Sequence, residues 1–221
     1  MKTMGFNDLR LVAPRHFPHA EATARASGAD DILSRAKTEP DLVAAIADCQ
    51  FVVGASARTR GGRWPILDPK QMADQIWARP RDQRVAVVMG PEQSGLTNDD
   101  LGRCQALVHI PTAPEYGSLN IAMAVQVLCY EIRMAYLAAS DAAQLGRLPE
   151  QREAPAATAA EIEGLHQHLE RVLTTSQFLH PDHPKQLKRK LRRIFMRADL
   201  DQNEINILRG ALASVDPDSN D

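Results

Sequence analysis

Val85-Ala-Val-Val-Met-Gly-Pro-Glu-Gln-Ser-Gly-Leu-Thr-Asn-Asp-Asp-Leu101 joins a short apolar run to a loop with two glycines, and the loop leads into a helical pattern. An apolar run of this length predicts a strand that is buried in a parallel sheet. Thr97 is placed to cap the following helix, with Asp100 three residues later as its reciprocal partner. In α/β proteins such a strand-to-helix loop often binds a ligand, and a tight turn without a ligand is the alternative reading.

Similar apolar runs alternate with helical patterns along the first part of the chain. The apolar runs lie at residues 9–13, 51–55, 85–89 and 107–110, and the helical patterns lie at residues 19–27, 40–48, 69–77 and 118–139. Strands that alternate with helices predict an α/β fold with a mainly parallel sheet and helices on both of its faces.

The composition changes after the long helical pattern. Residues 140–158 are rich in Ala, Gln, Glu and Pro and contain helix-breaking residues, which is typical of a linker. Three helical patterns follow, at residues 159–178, 184–197 and 201–214. We therefore expect a domain at residues 1–139, a linker at residues 140–158 and a helical extension at residues 159–221.

Bulk composition restricts the class of protein. The 221 residues carry a net charge of −2, so binding of nucleic acid would depend on local basic patches. Three widely spaced cysteines without a secretory signal indicate a reducing cytoplasm and no metal site. Gln126, Glu131 and Arg133 interrupt the apolar run of the long helix, which argues against a membrane span.

The loop between Gly90 and Leu96 has few features of a phosphate site. It lacks the Lys-Ser/Thr ending of a nucleotide-binding P-loop and the G-x-G-x-x-G pattern of dinucleotide-binding folds. Two further loops with small or polar residues follow predicted strands, at residues 54–60 and 110–120. In the second of these, Ser118 is placed to cap the long helix and Asn120 lies in its first turn. Three such loops at strand ends predict a binding cleft.

The motifs of these loops occur in a specific order. G-A-S-A-R-T-R at residues 54–60 precedes G-P-E-Q-S-G-L-T-N at residues 90–98, and Y-G-S-L-N-I-A-M-A-V-Q follows at residues 116–126. This order resembles the 2′-O-ribose branch of the SPOUT superfamily of RNA methyltransferases, and the TrmJ type of tRNA methyltransferase is most similar. The extension adds L-R-R-I-F-M-R-A and N-I-L-R-G, so the similarity covers nearly the whole chain.

The resemblance implies a trefoil knot whose loops bind S-adenosylmethionine through the backbone. A neutral adenosine and a sulfonium require shape and backbone hydrogen bonds, which suits loops without a phosphate nest. The resemblance implies that the cofactor site is formed by Ala55, Ser56, Ala57, Gly90, Glu92, Gly95, Leu96, Ile110, Ser118, Leu119 and Asn120.

The catalytic residue is not assigned. Members of this family use an arginine in an N-x-G-x-x-x-R motif on the first helix, and the resemblance places that motif upstream of Met1 together with the first strand. Because a sheet without that strand would expose backbone edges, we expect an in-frame upstream segment of about 20–25 residues. Without that segment we expect poor methyl transfer. The seven histidines are poor candidates for the base, because most of them lie away from the three loops.

Two basic regions are candidates for contacts with RNA phosphates. Residues 185–197 hold seven Lys or Arg and no acid, and Leu187, Leu191, Ile194 and Ala198 define the expected apolar face of this helix. Solvated surface is the alternative for both regions. The RNA-binding candidates are Arg58, Arg60, Lys188, Arg189, Arg192 and Arg193.

The predicted function is S-adenosylmethionine-dependent 2′-O-methylation of tRNA, which by family analogy occurs at the pyrimidine nucleotide 32 of the anticodon loop. The resemblance also implies a homodimer, for which Met123, Val127 and Met134 are a candidate surface, although these side chains could equally belong to the core. The alternatives are a non-catalytic module that binds RNA or cofactor and an rRNA 2′-O-methyltransferase of the same fold.

Overall fold

The computed structural model describes residues 1–57, 64–115, 117, 119–144, 154–179 and 184–216. All of its strand pairs are parallel. The strands are β1 (Arg10–Val12), β2 (Lys37–Glu39), β3 (Phe51–Ala55), β4 (Ile66–Leu67), β5 (Val85–Val88) and β6 (Ala106–Val108). They form a four-stranded sheet in the order β4-β6-β3-β5 and a two-stranded sheet of β1 and β2.

The helices follow the strands along the chain. They are α1 (Ala20–Arg25), α2 (Asp30–Arg35), α3 (Leu42–Ile46), α4 (Pro69–Trp77), α5 (Asn98–Leu101), α6 (Ile121–Gln144), α7 (Ala159–Thr175), α8 (Pro184–Ala198) and α9 (Gln202–Val215). Reciprocal capping boxes begin α4, α5, α7 and α9, and the pair predicted between Thr97 and Asp100 is confirmed. The α/β class that the sequence predicts is confirmed as well.

Helices cover both faces of the four-stranded sheet. Alternate residues of its strands point to opposite sides, so each strand contributes to a core on each face. On one face, Phe51 and Val53 of β3 pack with residues of α4 and α6, including Met72 and Leu128. On the other face, Val52 packs with residues of α3 and α5.

Strand β5 differs from its prediction. It lies at one edge of the four-stranded sheet, and all four of its residues are half-buried rather than buried. Its side chains contact both cores, which explains why all of them are apolar. The continuous apolar run therefore indicates that both faces of the strand are covered. The exposure of β5 comes from its position at the edge of the sheet.

Helices α7–α9 pack around a core of their own. Ile162, Leu165, Met196 and Ile205 form its centre. The first turn of α7 contacts the first part of the chain, because its Ala159 N–H donates to the Cys49 carbonyl at 2.7 Å and its Ala160 N–H donates to the Ala47 carbonyl at 3.1 Å. These contacts satisfy N–H groups that have no partner within a helix.

The described parts of the predicted linker are structured. Helix α6 extends to Gln144, and Ala154, Ala156 and Ala157 are buried near the C-terminal helices. Ala156 also forms an antiparallel bridge with Asp201, at the start of α9. Residues 145–153 of that linker lie outside the described residues.

Candidate functional site

The three predicted loops leave the carboxyl ends of adjacent strands. β3 lies between β5 and β6, so all three loops lie at the same edge of the sheet, namely the one formed by the carboxyl ends of the strands. Two of them are joined directly, because the Ser56 N–H donates to the Val108 carbonyl at 3.0 Å. Nδ1 of His109 lies 3.1 Å from the Ser56 carbonyl oxygen. A carbonyl only accepts, so this contact requires the tautomer with the proton on Nδ1.

The loop after β5 turns back sharply on itself at Gly90. A Cβ at this position would lie 2.2 Å from the carbonyl carbon of Gly95 and 2.3 Å from the nitrogen of Leu96. Gly95 has a φ of +66°, and its N–H donates to the Pro91 carbonyl at 2.8 Å. Leu96 is buried in the core at 7% exposure and anchors the end of the loop. The two glycines are therefore required by the shape of the turn.

Asn120 connects the second and third loops. Its Nδ2 donates to Oε1 of Glu92 at 3.2 Å, and its Oδ1 accepts from the Ala122 N–H at 2.8 Å. Since α6 begins at Ile121, Asn120 occupies the capping position rather than the first turn. The sequence predicted a cap at Ser118, so the helix starts two residues later than predicted.

The start of helix α5 is capped by its own side chains. The Asp100 N–H donates to Oγ1 of Thr97 at 3.1 Å, and the Thr97 N–H donates to Oδ2 of Asp100 at 2.9 Å. These side chains satisfy two of the N–H groups at this helix start, which would otherwise be available to an anion. The structure therefore agrees with a loop that does not serve as a phosphate nest.

The structure places most of the predicted cofactor residues at this edge of the sheet. Ala55 and Ser56 are half-buried, whereas Glu92 and Asn120 are exposed. Ser118 and the candidate phosphate contacts Arg58 and Arg60 lie outside the described residues. The remaining members at this edge are Ala57, Gly90, Gly95, Leu96, Ile110 and Leu119.

The predicted basic helix, α8, uses several of its cations within the protein. Arg192 contacts Glu163 of α7 at 2.5 Å, and Arg103 contacts the same carboxylate at 2.5 Å. Burial opposes ionisation of Glu163, but the hydrogen bond and charge of Arg192, together with Arg103, lower the pKa of its carboxyl to about 2. Lys188 pairs with Glu170, and Arg189 pairs with Asp99 at 3.0 Å.

The buried face of α8 is rotated from its predicted position. Ile194 is 51% exposed and Ala198 is also exposed, whereas Met196 is buried and Phe195 packs against the core of the C-terminal helices. The inward position of Arg192 explains the error in the predicted face. That face was defined by apolar residues alone, and such a pattern does not show that an arginine points inward to a buried carboxylate.

The histidines of the C-terminal helices have packing roles. His166 is 7% exposed and its ring lies 5.6 Å from that of Phe195. Burial and the nearby Arg192 lower the pKa of His166 to about 4. His168 lies 3.3 Å from the carboxylate of Asp216. Both side chains therefore pack within the C-terminal helices, and Nε2 of His166 is buried without a hydrogen-bond partner among the described residues.

Comparison with known proteins identifies the class of the protein. Residues 1–130 match the family model described as the SpoU rRNA Methylase family, and the chain belongs to this family. Residues 160–221 match the model of the tRNA methyltransferase TrmJ C-terminal domain. The membership that the three loop motifs predicted is confirmed.

Similarity to individual proteins extends over nearly the whole chain. A Klebsiella pneumoniae protein named tRNA (cytidine/uridine-2′-O-)-methyltransferase TrmJ is 46% identical over 98% of this chain and 88% of its own length. A Pseudomonas aeruginosa relative, whose name adds adenosine to the substrates, is 46% identical over 97% of this chain and 85% of its own. The crystal structure of TrmJ from Z. mobilis ZM4 superposes with a TM-score of 0.83 at 33% identity, over 97% of this chain and 89% of that one.

Proposed function

We propose that this protein transfers a methyl group from S-adenosylmethionine to a ribose 2′-hydroxyl of tRNA, at the pyrimidine nucleotide 32 of the anticodon loop. The observation that carries the proposal is the combination of two features in one chain. The three-loop edge belongs to a SpoU methylase domain, and the C-terminal helices match the TrmJ C-terminal domain. The relatives with this combination are named tRNA 2′-O-methyltransferases.

The loops have the chemistry that S-adenosylmethionine requires. Small residues at the end of β3 leave room beside backbone groups, and the Gly90 turn holds the second loop close to the sheet. Glu92 accepts a hydrogen bond from the amide of Asn120, which is neutral and does not compensate the negative charge of the carboxylate. A carboxylate at this position suits a sulfonium cation. The predicted cofactor residues at this edge fit the group, and we assign the cofactor site to them.

When bound, S-adenosylmethionine supplies an electrophilic methyl group. The contribution of the described residues is to hold a fixed shape into which the ribose hydroxyl can be aligned for an in-line approach. The Glu92–Asn120 contact orients the second loop relative to the start of α6. The arginine that the family uses near the hydroxyl proton and the trefoil knot stay predictions.

Contacts with tRNA are assigned to two regions. Arg58 and Arg60 follow β3 in the sequence, and Arg189 and Arg193 lie on α8. Lys188 and Arg192 were predicted for the same role. Because Lys188, Arg189 and Arg192 all pair with acids, RNA would compete with these acids for them. We propose residues 1–139 as the methyltransferase domain and residues 159–221 as the tRNA-docking extension, in a protein of the cytoplasm.

A homodimer is proposed through helix α6. Met123, Tyr130, Met134 and Leu137 are all at least 42% exposed and recur at intervals of three, four or seven residues. This spacing puts them on one side of the helix, as in a helical interface. The segment Ile121–Ser140 is also long and apolar enough to cross a bilayer by length and composition. Sedimentation of Met134→Glu tests the dimer: a monomer is expected, and a parent-like sedimentation coefficient would contradict this interface.

The experiment that tests the function is incubation of the product of the whole gene with S-adenosylmethionine tritiated on its methyl group, in parallel with unmodified tRNA and with rRNA. Label in the ribose of tRNA pyrimidines is expected. Label in rRNA alone would favour the alternative suggested by the description of the family model. Binding of both cofactor and tRNA without transfer would favour the non-catalytic module.

A further inference from the structure

A groove of about 250 Å³ lies between the first part of the chain and helix α8. Its walls come from both sides of that junction: Trp64, Asn98, Gly102, Arg189, Lys190 and Arg193. This volume is slightly below the range of about 300–1,000 Å³ that is usual for small-molecule pockets. A groove of this size therefore suits a single nucleotide rather than the surface of a folded protein partner.

The charge of the groove favours an anion. Three of its six lining residues are cations from consecutive turns of α8. Asp99, which pairs with Arg189 at 3.0 Å, is 77% exposed, so solvent weakens this ion pair. Phosphate binds well to such a cluster, because arginine offers paired donors and lysine adds a point charge.

The groove also offers an aromatic surface. The guanidinium of Arg193 lies 5.5 Å from the centroid of the Trp64 ring. The indole N–H of Trp64 is buried and has no hydrogen-bond partner among the residues that the structure describes, so the part of Trp64 that lines the groove is the carbon surface of its ring. Unpaired bases stack on aromatic rings and on guanidinium planes.

We infer that this groove binds one unpaired nucleotide of the tRNA substrate, with its phosphate at Arg189 and Lys190 and its base against Trp64 and Arg193. The inference rests on the proposed function and assigns a substrate contact to Trp64 and Lys190. Because the groove has walls from both parts of the chain, the nucleotide also fixes α8 against helix α5. The groove is lined by Asn98 and Gly102 of the α5 region, and the cofactor loop ends at Leu96, two residues before Asn98.

The two tryptophans of the chain allow a direct test. Trp77→Phe leaves Trp64 as the sole emitting indole, and Trp64→Phe leaves Trp77, whose ring donates to the Ile132 carbonyl at 2.8 Å between α4 and α6. Titration with a tRNA transcript should quench Trp64 emission over the same concentrations at which a filter assay detects binding. Emission of Trp77 should stay constant, and cytidine monophosphate should act only at far higher concentration.

Substitutions supply a second readout. Trp64→Leu keeps an apolar side chain but removes stacking, and it should weaken tRNA binding by about 5- to 150-fold. Lys190→Gln should flatten the slope of log affinity against log salt by roughly 0.7–0.9. Neither variant should change the affinity for S-adenosylmethionine. Lys190→Gln should also leave the melting temperature unchanged, whereas Trp64→Leu should lower it, because Trp64 packs against the core formed with α3 and α5.

Each outcome decides the inference. Constant Trp64 emission while the filter assay records tRNA binding would overturn it and leave the proposed function intact. Equal quenching of Trp64 and Trp77 would also overturn it, because the signal would then be global. Quenching by cytidine monophosphate below the tRNA concentration would assign the groove to a free nucleotide. Absence of any tRNA binding by the parent would overturn both the inference and the proposed function.

Discussion

Gly90→Ala is expected to disrupt the cofactor loop. The added Cβ would lie 2.2 Å from the Gly95 carbonyl carbon, 2.3 Å from the Leu96 nitrogen and 2.7 Å from the Gly95 oxygen. All three are backbone atoms, so no change of rotamer relieves the contact. Leu96 is held in the core, and the loop must therefore move at its other end. Overpacking of this kind costs about 1–3 kcal/mol.

The assay is thermal unfolding together with calorimetric titration of S-adenosylmethionine. At about 2–4 °C per kcal/mol for a chain of this size, the melting temperature should fall by roughly 2–12 °C. Cofactor affinity should fall by at least about tenfold, since one buried hydrogen bond lost from the pocket is worth this much. Gly210→Ala is the matched control, because nothing lies within 4 Å of its added Cβ in helix α9. Parent-like melting and affinity of Gly90→Ala would refute the reasoning.

Substitutions at three further sites test other contacts. Asn120→Asp keeps an oxygen to cap α6 but replaces the donor to Glu92, so cofactor affinity should fall by the equivalent of about 1–3 kcal/mol and tRNA affinity by less. Asn120→Ala should weaken cofactor binding similarly and should also lower the stability of the protein. If calorimetry showed parent-like cofactor affinity for both variants, Asn120 would not belong to the site. Glu163→Gln should lower the free energy of unfolding in urea by about 1–3 kcal/mol, because it leaves two half-buried arginines without their partner. Its control Glu170→Gln should cost less than about 1 kcal/mol, and equal effects would contradict a structural role for the first pair. The pKa of His166 is lowered from 6.5 to about 4, so the unfolded chain binds the proton first, and stability on the order of 3 kcal/mol should be lost as the pH falls from 6.5 to 4. In thermal melts, His166→Leu should not lose this part of its stability as the pH falls. If the stability of the variant and of the parent fell in parallel between pH 6.5 and 4, His166 would not be the group responsible.

The elements that could be predicted are those whose signals are local. β3 and α4 have the predicted bounds, because one is a continuous apolar run and the other begins with a Pro after the capping residue Asp68. β2 was missed because its Lys37-Thr-Glu39 sequence is polar, and its pairing with β1 depends on a distant part of the chain. β4, with two residues, is too short to show a period.

The same distinction applies to the site. The loops could be predicted to meet, because carboxyl ends of adjacent parallel strands share one edge of a sheet. The Asn120–Glu92 contact and the groove at Trp64 could not, because each joins residues that are distant in sequence. Arg192 appeared as a candidate phosphate contact because sequence shows its charge but does not show Glu163 beside it.

The most direct test of the central claim is the ribose methylation of tRNA in cells from which the gene has been deleted. Nucleolytic digestion and mass spectrometry would measure 2′-O-methylation at each position of the anticodon loop. Methylation of the pyrimidine at nucleotide 32 is expected to be lost and to return with the parent gene but not with a gene encoding Gly90→Ala. Unchanged methylation of tRNA after deletion, with a loss in rRNA instead, would contradict the proposed function.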